Sequence, residues 1–239
     1  MTDPYILLWL EAPLQSWGHD SKFGRRDSID FPTKSGVLGL ICCALGAGGR
    51  QTEWLTRWAD CDLQVQAYVP KDRKGEPLTR QPLMRDFQMV GSGYDDKDPW
   101  QTLLIPKTSE GKKAVGGGAK MTYRYYLQDM AFAVALQGEY EELAELEKAL
   151  QNPVWDLYLG RKNCAPTEFI AQGVHSNVEM AMNRAWRLAE SKNRCPVFTV
   201  LQGEHDGEVL TLNDVPVQFG EHKLYRDRRV TVLPVADYG

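Results

Sequence analysis

Apolar residues run unbroken from Tyr5 to Leu10 (YILLWL), and the chain turns polar at Pro13. A short continuous apolar run closed by a proline predicts a buried strand over Tyr5–Ala12. Residues 13–32 have no period and carry turn residues, the pattern of a long loop. Beyond them Val37, Leu38, Ile41, Cys42 and Leu45 recur at helical spacing. They predict a helix capped by Thr33 or Ser35 and stopped by Gly46, Gly48 and Gly49. Gly36 and Gly39 inside it cost about 1 kcal/mol each against alanine, which makes sense where a strand or a backbone phosphate packs closely. TEWLTRWAD predicts a second short helix capped by Thr52, and the alternation in CDLQVQAYVP predicts a strand.

From Lys71 to Met121 the pattern fades into Gly, Lys, Asp and Pro. A stretch of that length is functional or disordered, not a passive connection. TYRYYLQDMAFAVALQG returns to strand patterning, and GEYEELAELEKALQNP reads as an amphipathic helix with Leu143, Leu146 and Leu150 inward. The order is strand, helix, strand, insertion, strand, helix, strand, close to the split β-α-β unit of an α+β, ferredoxin-like fold. Beyond about residue 165, NVEMAMNRAWRLAE predicts a helix and three short segments predict strands, so a smaller β-rich part is expected there.

The length of 239 residues suits one large domain or two small ones. No apolar run reaches the ~18 residues of a membrane span, and no signal peptide is read at the start. Five cysteines, an odd number with no C-x-x-C pair, argue against a zinc site or disulfide framework and fit a reducing cytoplasm. The net charge of -4 counts against a free-standing nucleic-acid binder but not against a subunit with a local basic face. SKFGRR and YLGRKN are locally basic, while EYEELAELE is acidic and offers a protein-interaction face.

Cys164 sits beside Arg161 and Lys162, cations that would favour a thiolate nucleophile, but an inert turn cysteine is the better reading. The four histidines, His19, His175, His205 and His222, are far apart and YDDKD lacks calcium-loop spacing, so no metal site is expected. GAGG follows a helix and lacks a P-loop lysine. His19, near Trp17, Lys22, Arg25 and Arg26, is a candidate for acid-base ribonuclease chemistry, with an exposed loop histidine as the blander alternative. RNA gripping needs cations for phosphates and flat groups for unstacked bases. Trp17 with Arg25 and Arg26, Phe87 with Arg85, and Tyr158 with Arg161 and Lys162 each combine the two. Each pairing alone is the composition of a solvated loop, whereas three around one split β-α-β core favour RNA.

LEAPLQSWG (10–18), FPTKSGVLGLICCALG (31–46) and YLGRKNCAP (158–166) resemble three signatures of the CasD family, the type I-E Cascade subunit that holds the 5′ handle of the guide RNA. LMRDFQMVG (83–91) and TYRYYLQDMAFAVAL (122–136) are similar to its insertion and following strand. The resemblance runs from residue 5 to about 167, and the last 70 residues match poorly. It implies a ferredoxin-like, RRM-like core of the repeat-associated (RAMP) type over 1–160, with a thumb-like hairpin at about 78–122, and leaves 161–239 as the β-rich part. It also implies crRNA, Cascade backbone subunits and the large subunit as partners, with no cofactor and no catalysis.

By the same resemblance, Gln15 and Trp17 lie on an RNA-facing loop, and Lys34 and Ser35 on a phosphate-receiving helix start. Arg85, Phe87 and Arg124 belong to the thumb, and Tyr158, Arg161, Lys162 and Asn163 to the handle site. Arg25 and Arg26 complete the expected RNA contacts. Gly160 would let the backbone approach closely, and Cys164 would be structural. PKTSEGKKAVGGGAK is longer and more basic than the family pattern and is a candidate contact for target DNA. Relatives in another subtype cut guide precursors, so a metal-independent endoribonuclease using His19 is the alternative.

Overall fold

The computed structural model describes residues 3–18, 24–90, 97–104, 107–112 and 120–235. Strand β1 (Tyr5–Glu11) lies inside a seven-stranded sheet and is covered on both faces, which is why its sequence is apolar without alternation. Ile6, Leu8 and Leu10 point into the larger core, while Tyr5, Leu7 and Trp9 point into a smaller one on the opposite face.

Helix α1 (Lys34–Leu45) follows, with the Thr33 side chain accepting from the Gly36 N–H at 3.2 Å and Gly46 closing it in the left-handed conformation. Helix α2 (Thr52–Trp58) is preceded by Gln51 as N-cap, so Thr52 is its first residue and not its expected cap. Strand β4 (Leu63–Pro70) and strand β7 (Ala131–Gln137) come next in the large sheet. Helix α4 (Tyr140–Gln151) buries Leu143, Leu146 and Leu150, and strand β8 (Ala171–His175) forms one edge of the sheet. The spatial order is β4-β7-β1-β8, each neighbouring pair antiparallel, so β1 and β4 run parallel with β7 between them. Helices α1 and α4 cover the face of the larger core. Helix α5 (Val178–Ser191) covers the other, where its Ala181, Ala185 and Ala189 share a cluster with Ala131, Ala133 and Ala135 of β7.

The C-terminal strands β9 (Arg194–Gln202), β10 (Glu208–Gln218) and β11 (Leu224–Pro234) do not form a second sheet. β9 pairs with the free edge of β4, and the full order is β10-β11-β9-β4-β7-β1-β8. Val200, Leu212 and Val230 enter the same apolar core as α1 and β1.

A second, four-stranded sheet is built on β6 (Lys120–Gln128). β2 (Leu14–Gln15) pairs with its C-terminal end, β3 (Arg25–Arg26) with its middle, and β5 (Met84–Val90) along most of its length. Helix α3 (Pro99–Leu104) lies between β5 and β6. The segment that reads as one strand over 122–137 is therefore two strands in two sheets. The chain turns at Asp129, which has φ 50. Arg194 fixes the corner, donating to the Asp129 carbonyl at 2.9 Å, to its carboxylate at 3.1 Å and to Glu11 at 3.1 Å. Among the described residues no helix is long and apolar enough to cross a membrane, and no three His, Cys, Asp or Glu side chains are grouped to hold a metal ion.

Candidate nucleic-acid interface

The β5–β6 hairpin presents an uncovered row of flat and cationic groups. Strand register puts Phe87 opposite Tyr123, Arg85 opposite Tyr125 and Met89 opposite Met121, so these six share one face. Phe87 and Tyr123 rings lie 5.3 Å apart, Arg85 Cζ is 5.6 Å from the Tyr123 centroid, and Arg25 of β3 is 5.1 Å from that of Tyr125. Phe87 is 50% exposed and Met121 56%, so no described part of the chain buries this row. A guanidinium stacked on a ring still has N–H edges for a phosphate, and the rings offer platforms for bases. Arg124 and Arg26 pair on the opposite face of the strands, across from Asp86 in the case of Arg124.

The 158–164 turn meets the root of this hairpin. Gly160 has φ 90, and a Cβ there would lie 1.7 Å from the Ser16 carbonyl oxygen, so only glycine fits. The close approach expected of Gly160 is thus to the protein's own backbone. Arg161 donates to the carbonyls of Arg26 at 2.8 Å and Tyr125 at 3.3 Å, and its guanidinium carbon sits 4.6 Å from the Tyr126 centroid. Asn163 donates to the Tyr126 hydroxyl at 3.2 Å. These two clasp the turn to β3 and β6, whereas Lys162 is exposed and available. Cys164 is buried, and burial pushes its thiol pKa up, so it stays protonated and structural.

Three expected RNA contacts are interior. Gln15 is fully buried, donating to the carbonyls of Leu10 at 3.0 Å and Met130 at 2.8 Å and accepting from the Trp17 indole N–H at 3.2 Å. Trp17 is buried against Gly36. Lys34 extends inward and its ammonium donates to the carbonyls of Ala59 at 2.8 Å and Cys61 at 2.6 Å. Burial, then the nearby Arg228, holds its pKa down to about 8. Its backbone N–H is taken by Asp214 at 2.7 Å, and the Gly36 N–H by Thr33, so these two donors at the start of α1 are satisfied from within. The buried side chains of Gln15, Trp17 and Lys34 brace the loop and the start of α1, and Trp17 also lines the groove beside the 158–164 turn. His19 and Lys22 lie outside the described residues.

Ser35 and Tyr158 open onto a groove of about 500 Å³ beside the 158–164 turn. Its floor includes Gly36 and Gly39 of α1, with Trp155 and Tyr158 on one segment and, on another, Phe219 and Lys223 of the β10–β11 connection and Tyr225 at the start of β11. Sequence reasoning missed these last three, because nothing in a C-terminal hairpin sequence says that it folds back over α1.

A two-sheet α+β chain with a basic, aromatic hairpin is the architecture of a CRISPR-associated protein: the family model described as CRISPR-associated protein (Cas_Cas5) matches residues 5–231, and the chain belongs to that family. Within it, the chain is 30% identical over 169 residues to the CRISPR system Cascade subunit CasD of Escherichia coli strain K12, covering 68% of this chain and 67% of the relative. Among solved structures it is similar to a chain of a CRISPR RNA-guided surveillance complex, with TM-score 0.69 and 27% identity over 97% of this chain and 90% of that one. A crystal structure of a Cas protein matches with TM-score 0.56 and 25% identity, over 96% and 94% of the two chains.

Proposed function

We propose that this chain is a non-catalytic subunit of a type I-E CRISPR Cascade surveillance complex, binding the 5′ handle of the crRNA in the cytoplasm. The order β4-β7-β1-β8, with α1 and α4 on one face, supports a ferredoxin-like RAMP core, and the β5–β6 hairpin supports the thumb. Its neighbours would be the backbone and large subunits, and the PKTSEGKKAVGGGAK stretch, which lies in part outside the described residues, is the candidate contact for target DNA. The observation that carries the reading is the continuous arginine–aromatic row Arg25, Tyr125, Arg85, Tyr123 and Phe87, clasped to the 158–164 turn by Arg161. A chain with net charge -4 that concentrates exposed cations and rings on one hairpin is built to hold a polyanion locally.

RNA holding without cutting is supported by the chemistry around the row. The nearby thiol of Cys164 is buried, and burial raises its pKa and keeps it protonated. Purified protein incubated with labelled repeat RNA in EDTA tests this on a native and a denaturing gel run in parallel. Retained, intact RNA is expected. Specific cleavage would replace the proposal with a guide-processing enzyme.

A further inference from the structure

The glycine at position 39 has no packing explanation in the folded chain. Gly36, one turn earlier, is explained by Trp17, whose ring would meet a Cβ at 2.8 Å. A Cβ on Gly39 would meet nothing closer than the Phe219 ring at 4.0 Å. A mid-helix glycine is costly relative to alanine, yet here it keeps empty space at the floor of the groove. That space is about 500 Å³, within the size range of small-ligand sites. Rings from separate segments, Trp155, Tyr158, Phe219 and Tyr225, surround it, and the exposed Lys223 stands at its lining. Gly160 lines it too, so the groove is continuous with the turn that Arg161 ties to the RNA-facing hairpin.

We infer that this groove receives one nucleotide extruded from the guide strand, its base against the aromatic walls and its phosphate toward Lys223. The inference rests on the RNA-binding reading above and adds the C-terminal connection as part of the site. Flat walls with a single cation fit a base and its phosphate, since base stacking on aromatic rings is tolerant of sequence and needs few polar partners. At the start of α1 the N–H of Lys34 is taken by Asp214 and that of Gly36 by Thr33, so the phosphate is assigned to Lys223.

The test uses the assembled complex loaded with guides carrying 2-aminopurine at each successive 5′ position, with the wild-type chain, Gly39→Leu, Gly39→Ala and Tyr225→Ala. Wild type is expected to quench the fluorophore at one position. Gly39→Leu fills the floor from a site with room for a larger side chain and should abolish that quenching. Gly39→Ala should keep it while raising the melting temperature, which separates blocking from misfolding. Tyr225→Ala should weaken guide retention by roughly ten-fold, the low-to-middle range for one lost stacking partner. A loaded wild-type complex with no distinguished position, or quenching that survives Gly39→Leu, would overturn the groove assignment and leave the RNA-binding reading standing. Disrupted assembly in Gly39→Leu with quenching intact would assign the groove to a partner protein's side chain and overturn the inference. Failure of wild type to hold the guide would overturn both.

Discussion

Lys34 shows what a residue can conceal. In sequence it is a cation beside a helix start, the composition of a phosphate site; in the fold its ammonium is spent on two backbone carbonyls. Its lowered pKa has a definite consequence. The unfolded chain holds that proton up to the ordinary lysine range, whereas the folded chain releases it above about 8. Between those values the unfolded state binds more protons, so stability rises with pH in that window. Burial of the charge is a cost fully present below about pH 8 and relieved as pH climbs toward the unfolded value. Measured by denaturant titration against Lys34→Met, wild type should gain on the order of 3 kcal/mol between pH 8 and pH 10.5. A difference that stays flat with pH would contradict the buried position. Gly160 makes a second residue-scale prediction: Gly160→Ala should cost at least about 2 kcal/mol, seen as a lowered melting temperature, because of the Ser16 carbonyl and the positive φ. The motif around Gly160 was legible, but the identity of what approaches it was not, since closeness to Ser16 is set by tertiary packing.

At the scale of elements, periodicity located α1, α4 and α5 because each repeats buried apolar positions, while α3, inside the insertion, was not read. Leu143, Leu146 and Leu150 were readable as an inward stripe, and they are buried. The segment from Thr122 to Gln137 misled for a physical reason. Two successive strands with apolar content look like one when the turn between them has no glycine or proline, and here Asp129 adopts positive φ with Arg194 holding it. Arg194 is buried and bridges Asp129 and Glu11. Removing it should strand Glu11 with less compensation and loosen the passage from hairpin to sheet. Arg194→Ala is expected to cost about 3 kcal/mol and to speed amide exchange over β6 more than over α4. Equal protection of the two elements would contradict its role as the corner fastener.

Across the whole molecule, strand order explains why the C-terminal third was hard to place. Short amphipathic strands announce a sheet but not which edge they join, and β9 found the free edge of β4. The candidate site was legible as a set of cation–aromatic pairs, of which Arg25, Arg85, Phe87 and Lys162 are exposed. Gln15 and Trp17 were not separable from them, because an amide and an indole serve equally well to brace a loop or to bind a base. What joins the parts is the hairpin face, and its claim to hold RNA is electrostatic at heart. The most direct test is the salt dependence of guide RNA binding by wild type and by a variant with Arg25, Arg85 and Lys162 all changed to alanine. Each lost phosphate contact on a single strand should reduce the slope of log K against log salt by about 0.7. A slope smaller by about 2 in the triple variant, with RNA left uncut, is the predicted result; an unchanged slope and affinity would contradict the assignment of this face to the guide.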